Sequence, residues 1–378
     1  MANSTSIWLV LGMVALAVAC APSPGTPAPN PAGVATTASA TPGAAAPAAA
    51  AAAQPASPAA PAGAAQPPTL VRVGYLNSAS DAGLLLAADR GYFAEQGLDV
   101  QLERFDSGAV MTAPLAAGQL DVGAGTPSAG LYNAVARNIT IKIVADKGSN
   151  RPGFGFQGIA LRKGLEDRVR TYADLRGLKV AMTATGGTSA DLLLVAALRK
   201  GGLAPSDVEI VTIPYPELNT ALTTGAVDAA IHFEPLFTLG VRQGLSVDWK
   251  RADEVYPDLQ GATILYGMPF IQDKPEAARR WMVAYVRGLR LYNDAFLKDQ
   301  NKDEVIAILA QATGASPQVL AQAVPVGLNP DGYANAAGLA EDIQTLTSLG
   351  FVTQPVDVAA VVDNSYVDYA IQQLGRYQ

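Results

Sequence analysis

The sequence is short of the residues that disulfides, metal clusters and nucleic-acid surfaces require. Its 378 residues include one cysteine and one histidine, so an intramolecular disulfide is excluded and a His/Cys metal cluster is not expected. Lys and Arg number 26 against 33 Asp and Glu, which gives a formal net charge of −7. Because nucleic-acid binding needs clustered cations and these are scattered, we expect no nucleic-acid partner and no cofactor.

Long apolar runs are also missing, apart from one at the amino terminus. Residues 7–19 are apolar and end at Cys20, and a run of roughly 13 residues is too short to span a bilayer but suits a signal peptide. Because Cys20 follows Leu16-Ala17-Val18-Ala19, the segment resembles a lipobox. We therefore expect a lipoprotein signal peptide over 1–20, with Cys20 acylated. Ala17 stands where Leu is usual, however, and MANSTS carries no cation, so a plain signal peptide cut after Ala19 is the alternative.

Residues 21–68 contain no charged residue and consist almost entirely of Ala, Pro, Gly, Ser and Thr. Such a composition offers no apolar face to bury, and its prolines oppose a helix. We expect a disordered tether that holds a folded domain off a membrane.

From residue 69 onward, short apolar strands alternate with amphipathic helices, twice over, and a helical tail follows. Examples are a helix over 83–96, a strand over 179–182 and a helix over 189–200. This rhythm predicts an α/β protein with two lobes. Lobe one would comprise 69–162 plus 269–378 and lobe two 163–268, with crossovers at 159–162 and 266–270 acting as hinges. Ligands of such folds bind between domains, at the carboxyl ends of strands.

Several separated motifs then occur in a familiar order. They are Gly74-Tyr75, RGYFAEQGLDV at 90–100, AAGQLDVG at 116–123, DLRGLKV at 174–180, and TGAVDAAI at 224–231 with Glu234-Pro235. Together they resemble the periplasmic substrate-binding proteins of ABC importers for alkanesulfonates, taurine, nitrate and thiamine precursors, a group related to thiamine-pyrimidine synthase.

The resemblance implies a type II periplasmic-binding-protein fold, capture of a small molecule outside the cytoplasm, and no catalysis. It implies a permease and an ATPase as partners, and we expect a monomer held at the membrane by its lipid. Two alternatives remain open. One is an enzyme of the thiamine-pyrimidine-synthase type, although those relatives carry a cysteine-rich motif. The other is a receptor that feeds signalling.

Three polar loops that follow predicted strands are the candidate ligand contacts: 77–81, 125–128 and 183–189. Glycines there allow close backbone approach, and free N–H and hydroxyl groups offer donors. With aromatic and acidic residues of lobe two, the predicted ligand contacts are Asn77, Asp81, Phe105, Thr126, Ser128, Thr185, Gly187, Thr188, Ser189, Tyr215, His232, Phe233, Glu234 and Tyr266.

Few cations stand near these loops, chiefly Lys147 and Arg151, while aromatics are frequent there. Aromatic faces stack on planar rings, so this pattern favours a heteroaromatic vitamin: riboflavin first and the thiamine pyrimidine second. For each aromatic, core packing is the competing explanation. A binding protein for an organic or inorganic anion, such as an alkanesulfonate or nitrate, is the alternative. The G-x-G-x-x-G run at 153–158 precedes a strand-like segment, so it predicts a flexible loop between the lobes and not a dinucleotide site.

Overall fold

The computed structural model describes residues 67–139 and 141–378. The predicted signal peptide, the lipidation of Cys20 and most of the tether lie outside these residues. Within them, no helix combines the length and the apolar character that crossing a membrane requires.

The described residues form two five-stranded sheets of the same design. The strands are β1 (Thr69–Tyr75), β2 (Leu98–Arg104), β3 (Val122–Gly125), β4 (Ile141–Ser149), β5 (Gln157–Arg162), β6 (Lys179–Met182), β7 (Glu209–Thr212), β8 (Ala229–Phe233), β9 (Ser246–Arg251) and β10 (Gln260–Gly267). The orders are β2-β1-β3-β10-β4 and β7-β6-β8-β5-β9. In the first sheet β10 runs antiparallel to its neighbours, and in the second sheet β5 does so. The other strands of each sheet are parallel.

The chain crosses between the sheets at two segments, 150–156 and 252–259. The predicted crossovers at 159–162 and 266–270 are wrong. Ile159 pairs with Ile231 inside the second sheet, and Tyr266 pairs with Val122 inside the first. The predicted lobe ranges therefore put β5 and β10 with the wrong sheet. Turn-forming residues do stand at the true crossings, Pro152 and Gly153 in the first and Pro257 in the second. Loops within a lobe have the same composition, so composition alone does not tell a crossing from an ordinary loop.

The helices cover the sheets and form the tail. They are α1 (Ala82–Asp89), α2 (Tyr92–Glu95), α3 (Thr112–Ala116), α4 (Ala129–Ala136), α5 (Ser189–Lys200), α6 (Leu218–Thr224), α7 (Leu236–Arg242), α8 (Ala252–Val255), α9 (Met268–Asp273), α10 (Pro275–Leu297), α11 (Lys302–Thr313), α12 (Pro317–Gln322), α13 (Ala336–Ser348), α14 (Val358–Val361) and α15 (Ser365–Leu374). Short 3₁₀ turns occupy Ala79–Asp81, Ala109–Met111, Tyr172–Leu175, Pro205–Asp207 and Tyr215–Glu217.

Helix α10 is the centre of the core behind the first sheet. Its buried Trp281 and Tyr285 stack with ring centroids 5.2 Å apart, as expected for residues four apart on one helix face. Gly288 lets α10 approach α1 closely, because a Cβ there would lie 2.1 Å from the carbonyl oxygen of Gly83. The single helix predicted over 83–96 is interrupted at Gly91, which adopts a left-handed φ of +69°.

A second apolar cluster continues from the first sheet to the second. It includes Ile143 of β4, Ile159 of β5 and Leu346 of α13. Inside this region, the carboxylate of Asp342 on α13 accepts a 2.7 Å hydrogen bond from the Tyr256 hydroxyl, which lies in the crossing segment 252–259. Burial raises the pKa of Asp342 to about 7. The tail helix is therefore joined to the crossing by an acid that titrates near neutrality.

Replacement of Asp342 by Asn should remove a pH dependence of stability. The folded protein holds the Asp342 proton up to about pH 7, whereas an unfolded Asp releases it near pH 4. Wild-type stability should therefore fall as the pH rises from about 4 to 7. In Asp342→Asn the amide oxygen still accepts the Tyr256 bond and the variant escapes this loss, so its advantage should grow to as much as about 4 kcal/mol above pH 7. Urea denaturation at pH 4.5 and pH 8 measures both values.

The matched control is Asp368→Asn, since Asp368 accepts a 2.7 Å bond from Tyr333 at the surface. This variant should follow the wild-type pH dependence. If Asp342→Asn also follows it, the buried acid does not titrate as described.

Candidate ligand-binding site

A pocket lies where loops of the two sheets meet. It encloses about 530 Å³ of empty space, its opening to solvent included. The lining is rich in hydroxyl groups, contributed by Ser78, Ser80, Ser107, Thr126, Thr183, Thr188, Ser189 and Tyr215. The remaining lining residues are Leu76, Gly108, Ala109, Lys147, Phe156, Gln157, Ala184, Ala190, Phe233, Gly261 and Ala262.

The topology explains why these loops converge. Ser78 and Ser80 follow β1, Ser107 follows β2 and Thr126 follows β3, and these strands are parallel. In the second sheet, 183–190 follows β6, Tyr215 follows β7 and Phe233 ends β8, again from parallel strands. The pocket therefore lies at the carboxyl ends of the parallel strands of both sheets, the usual ligand position in open α/β sheets.

One wall of the pocket contains a buried ion pair. The Lys147 ammonium lies 3.0 Å from Oδ1 of Asp81, and their side chains are 1% and 0% exposed. The ammonium also donates to Ser80 Oγ at 2.7 Å. Asp81 Oδ2 accepts from the backbone N–H and the hydroxyl of Ser78, at 2.8 and 3.1 Å. Since an ammonium has three protons, Ser80 accepts one of them and Lys147 lines the pocket, an N–H is available to a group bound there.

Two helix amino termini flank the pocket. Ser128 caps α4 by accepting from Leu131 N–H. Thr188 is the N-cap of α5, and Asp191 in the first turn accepts from the Thr188 N–H and hydroxyl, at 2.7 and 2.9 Å. The first-turn N–H groups of a helix have no partner inside it and carry partial positive charge. These termini favour an acceptor or an anion in the space between them.

The loops of the two sheets touch directly beside these caps. Ala129 N–H donates to the Gly187 carbonyl at 2.7 Å, and Ser128 forms an isolated β-bridge with Thr188. Gly187 has a φ of +89°, and a Cβ there would meet the Ala129 Cβ at 2.6 Å. Only glycine fits both the backbone conformation and this close contact.

Gln157 connects the pocket to a crossing segment. Its Oε1 accepts from Asn150 Nδ2 at 2.7 Å, and its backbone N–H donates to Asn150 Oδ1 at 3.2 Å. Ser189 Oγ donates to the Gly261 carbonyl at 3.0 Å. Polar groups of α5, β5 and β10 therefore form one buried network along this wall.

Some of the predicted contact residues line the pocket, and others lie behind its wall or away from it. Thr126, Thr188, Ser189, Tyr215 and Phe233 line it. Asp81, Ser128 and Gly187 support it, through the ion pair and the loop contacts described above. Thr185 is exposed on its loop, Asn77 borders a neighbouring cavity, and Phe105 packs against the second apolar cluster. For the residues at the pocket, ligand contact stays a prediction.

Three of the expected contacts belong to buried cores instead, which corrects the prediction for His232, Glu234 and Tyr266. Glu234 binds Arg251 at 2.6 Å and the Thr238 hydroxyl at 2.8 Å. Tyr266 donates to the Ala278 carbonyl at 2.9 Å in the core around α10.

His232 is enclosed within the second sheet. Its ring stacks on Phe237 at 5.6 Å, and its Nδ1 accepts from the Phe233 N–H at 2.9 Å. Burial lowers the pKa of His232 to about 3, so the ring is neutral at physiological pH. The proton then lies on Nε2, which donates to Asn219 Oδ1 at 3.1 Å. The imidazole has no nitrogen left for a ligand.

Lys147, Ser80, Ser107 and Gln157 were not among the predicted contacts. For Lys147 the signal was present, because a lysine within the buried strand IKIVADKGS must be paired or functional. Ser107 and Gln157 carry no comparable local signal, because their positions depend on how the two sheets meet.

Asp81→Asn should destabilise the protein strongly, because it leaves the Lys147 charge buried without a partner. The expected loss is about 3–5 kcal/mol in the free energy of unfolding. Adding Lys147→Met to the same chain removes both charges and should restore stability to within about 1 kcal/mol of wild type. Urea denaturation at pH 7 measures all three proteins.

Asp167→Asn is the surface control, since Asp167 pairs with Arg170 while 98% exposed; it should cost at most about 1 kcal/mol. A double variant as unstable as Asp81→Asn alone would show that the Asp81 carboxylate matters through its bonds to Ser78 and not through the charge of Lys147.

A family description and several named proteins match this chain. A model of the NMT1-like family matches residues 64–310. A protein of Brucella abortus (strain 2308) named as a binding protein is 29% identical over 219 residues, 57% of this chain and 64% of that protein. The taurine-binding periplasmic protein of Escherichia coli K12 is 30% identical over 167 residues, 44% of this chain and 48% of its own length. The matches thus span less than two thirds of these relatives.

Solved structures share the fold at low sequence identity. The alkanesulfonate-binding protein of Xanthomonas axonopodis pv. citri, bound to MOPS, has a TM-score of 0.65 at 21% identity, covering 79% of this chain and 99% of that one. The nitrate-binding protein of Synechocystis PCC 6803 has a TM-score of 0.68 at 18% identity, covering 82% and 89%. A desulfurization enzyme is also similar, with a TM-score of 0.56 at 14% identity. The expected periplasmic-binding-protein fold is confirmed, and since the family match covers well over half of its residues, the chain belongs to the NMT1-like family.

Proposed function

We propose that this protein is the extracytoplasmic solute-binding component of an ABC importer, and that it captures a small oxyanion such as a sulfonate or nitrate. The proposal rests on the position of Lys147. It is a buried ammonium on the pocket wall, paired with the Asp81 carboxylate and donating one of its three protons to Ser80. The permease and the ATPase are the proposed partners, and the Cys20 lipid is the proposed anchor.

The donors around the pocket suit an oxyanion. Sulfonate and nitrate oxygens only accept hydrogen bonds. The hydroxyls of Ser107, Thr126 and Thr183, the Lys147 ammonium and the helix amino termini can donate to them. The other hydroxyls of the lining, apart from Ser80, already donate their proton within the protein. Asp81 does not line the pocket; its carboxylate is paired with the Lys147 charge and accepts hydrogen bonds from Ser78. A negatively charged ligand therefore meets donors and no free carboxylate. Leu76, Phe156 and Phe233 provide an apolar side for the carbon part of an organic anion.

The support for a vitamin ligand is weaker. Of the aromatics that suggested ring stacking, Tyr266 is in the core and Phe105 packs against the second cluster. Tyr215 and Phe233 reach the pocket but already pack edge to face, with centroids 5.9 Å apart. The names of the relatives in which taurine, sulfonates and nitrate occur point in the same direction. The anion alternative is thus better supported than riboflavin or the thiamine pyrimidine.

Isothermal titration of the purified chain with taurine, ethanesulfonate and nitrate, beside riboflavin and an aminopyrimidine, tests the proposal. We expect at least one anion to bind with a Kd of about 1 µM or tighter, and the two ring compounds not to compete. The variant Lys147→Met with Asp81→Asn should lose at least about tenfold in affinity, because the charged donor is gone.

The control removes a comparable pair away from the pocket: Arg290→Met with Asp331→Asn, whose side chains are 16% and 14% exposed. It should bind as wild type does. Tight riboflavin binding without anion binding would overturn the proposed ligand class. Unchanged anion affinity in the Lys147 variant would remove Lys147 from the site.

A further inference from the structure

A second cavity adjoins the pocket on the side of Tyr215. It encloses about 1030 Å³, its wide opening to solvent included. Asn77 and Arg104 line it from the first sheet, Pro216 and Gln243 from the second, and Thr313 from the end of α11. Like the pocket, it is therefore built where elements of the two sheets face each other.

Tyr215 is the wall between the two cavities. It lines both of them, and the neighbours Asn77 and Ser78 line one each. The Tyr215 hydroxyl donates to the Glu234 carbonyl at 3.1 Å, which holds the ring across the boundary. Tyr215 therefore separates the pocket from the cavity that Arg104 lines.

Arg104 is the one charged residue among those that line this cavity. It ends β2 and is exposed. None of the ion pairs found among residues 67–139 and 141–378 includes it. The chain as a whole carries a net charge of −7, which repels anions at long range. A cation without an ion-pair partner among the described residues, in a cleft whose other lining residues are uncharged, makes the local potential more positive.

We propose that this cavity is the entrance of the site and that Arg104 steers the anion into it. The inference rests on the proposed anionic ligand. Arg104 does not line the inner pocket, so it acts on the approaching anion and not on the bound one. Such a charge changes the association rate constant and its salt dependence and leaves the dissociation rate constant unchanged.

Stopped-flow kinetics with the tightest-binding anion of the titration series tests this inference. In about 10 mM salt, Arg104→Ala should lower the association rate constant by about two- to fivefold, and Arg104→Glu should lower it further. Arg104→Lys keeps the charge and should keep the rate. In about 1 M salt, where the Debye length is about 3 Å, all four proteins should associate equally fast.

Arg376→Ala is the matched control, because Arg376 is exposed near the carboxyl terminus and its loss changes the net charge by the same amount. It should associate at the wild-type rate. Equal association rates for wild type and Arg104→Ala in low salt would overturn the proposal that Arg104 steers the anion through this cavity. A faster dissociation in Arg104→Ala would overturn it too, since Arg104 would then touch the bound anion. If none of the anions binds wild type, the proposed function fails and the inference fails with it. This outcome differs from the two above, in which wild type still binds an anion.

Discussion

The ion pair between Lys147 and Asp81 is the constraint on which the pocket depends. Removing either charge from water costs several kcal/mol, so each is tolerated inside the protein only because the other is 3.0 Å away. The pair fixes the loop after β1 against β4, and Asp81 in turn orients Ser78. The arrangement presents a positively charged donor to the pocket while its carboxylate faces away. A neutral wall of the same shape would hold the loop in place but would attract an anion much less strongly.

The second requirement is contact between the sheets. Gly187 and Ala129 bring the amino ends of α4 and α5 to the same space, and the shared apolar cluster of Ile143, Ile159 and Leu346 keeps the sheets together behind them. Helix termini and hydroxyls supply hydrogen bonds without a permanent charge. The site therefore combines one buried cation with several neutral donors, an arrangement suited to a weakly basic oxyanion.

Local patterns predicted the elements well and their assembly less well. Strand 179–182 and helix 189–200 have the predicted bounds. There the hydrophobic periodicity, the N-cap residue and the flanking glycines all indicate the same ends. The loops after β1, β3 and β6 were also recognised as polar segments after strands. The crossing points were misplaced because loops between the lobes and loops within a lobe have the same turn-forming composition. His232 and Tyr266 failed because a strand pattern does not say which end or face of a strand meets the pocket.

The sequence alone did not decide between a ring compound and an anion. Aromatic residues near loops are equally expected when they stack on a ligand and when they pack in the core. If Lys147 holds an oxyanion within the hydroxyl-lined pocket, a crystal structure of the protein with taurine or nitrate will show it. We expect the oxyanion in this pocket, with an oxygen within about 3 Å of Lys147 Nζ. An anion bound elsewhere, with Lys147 still holding only Asp81 and Ser80, would contradict it.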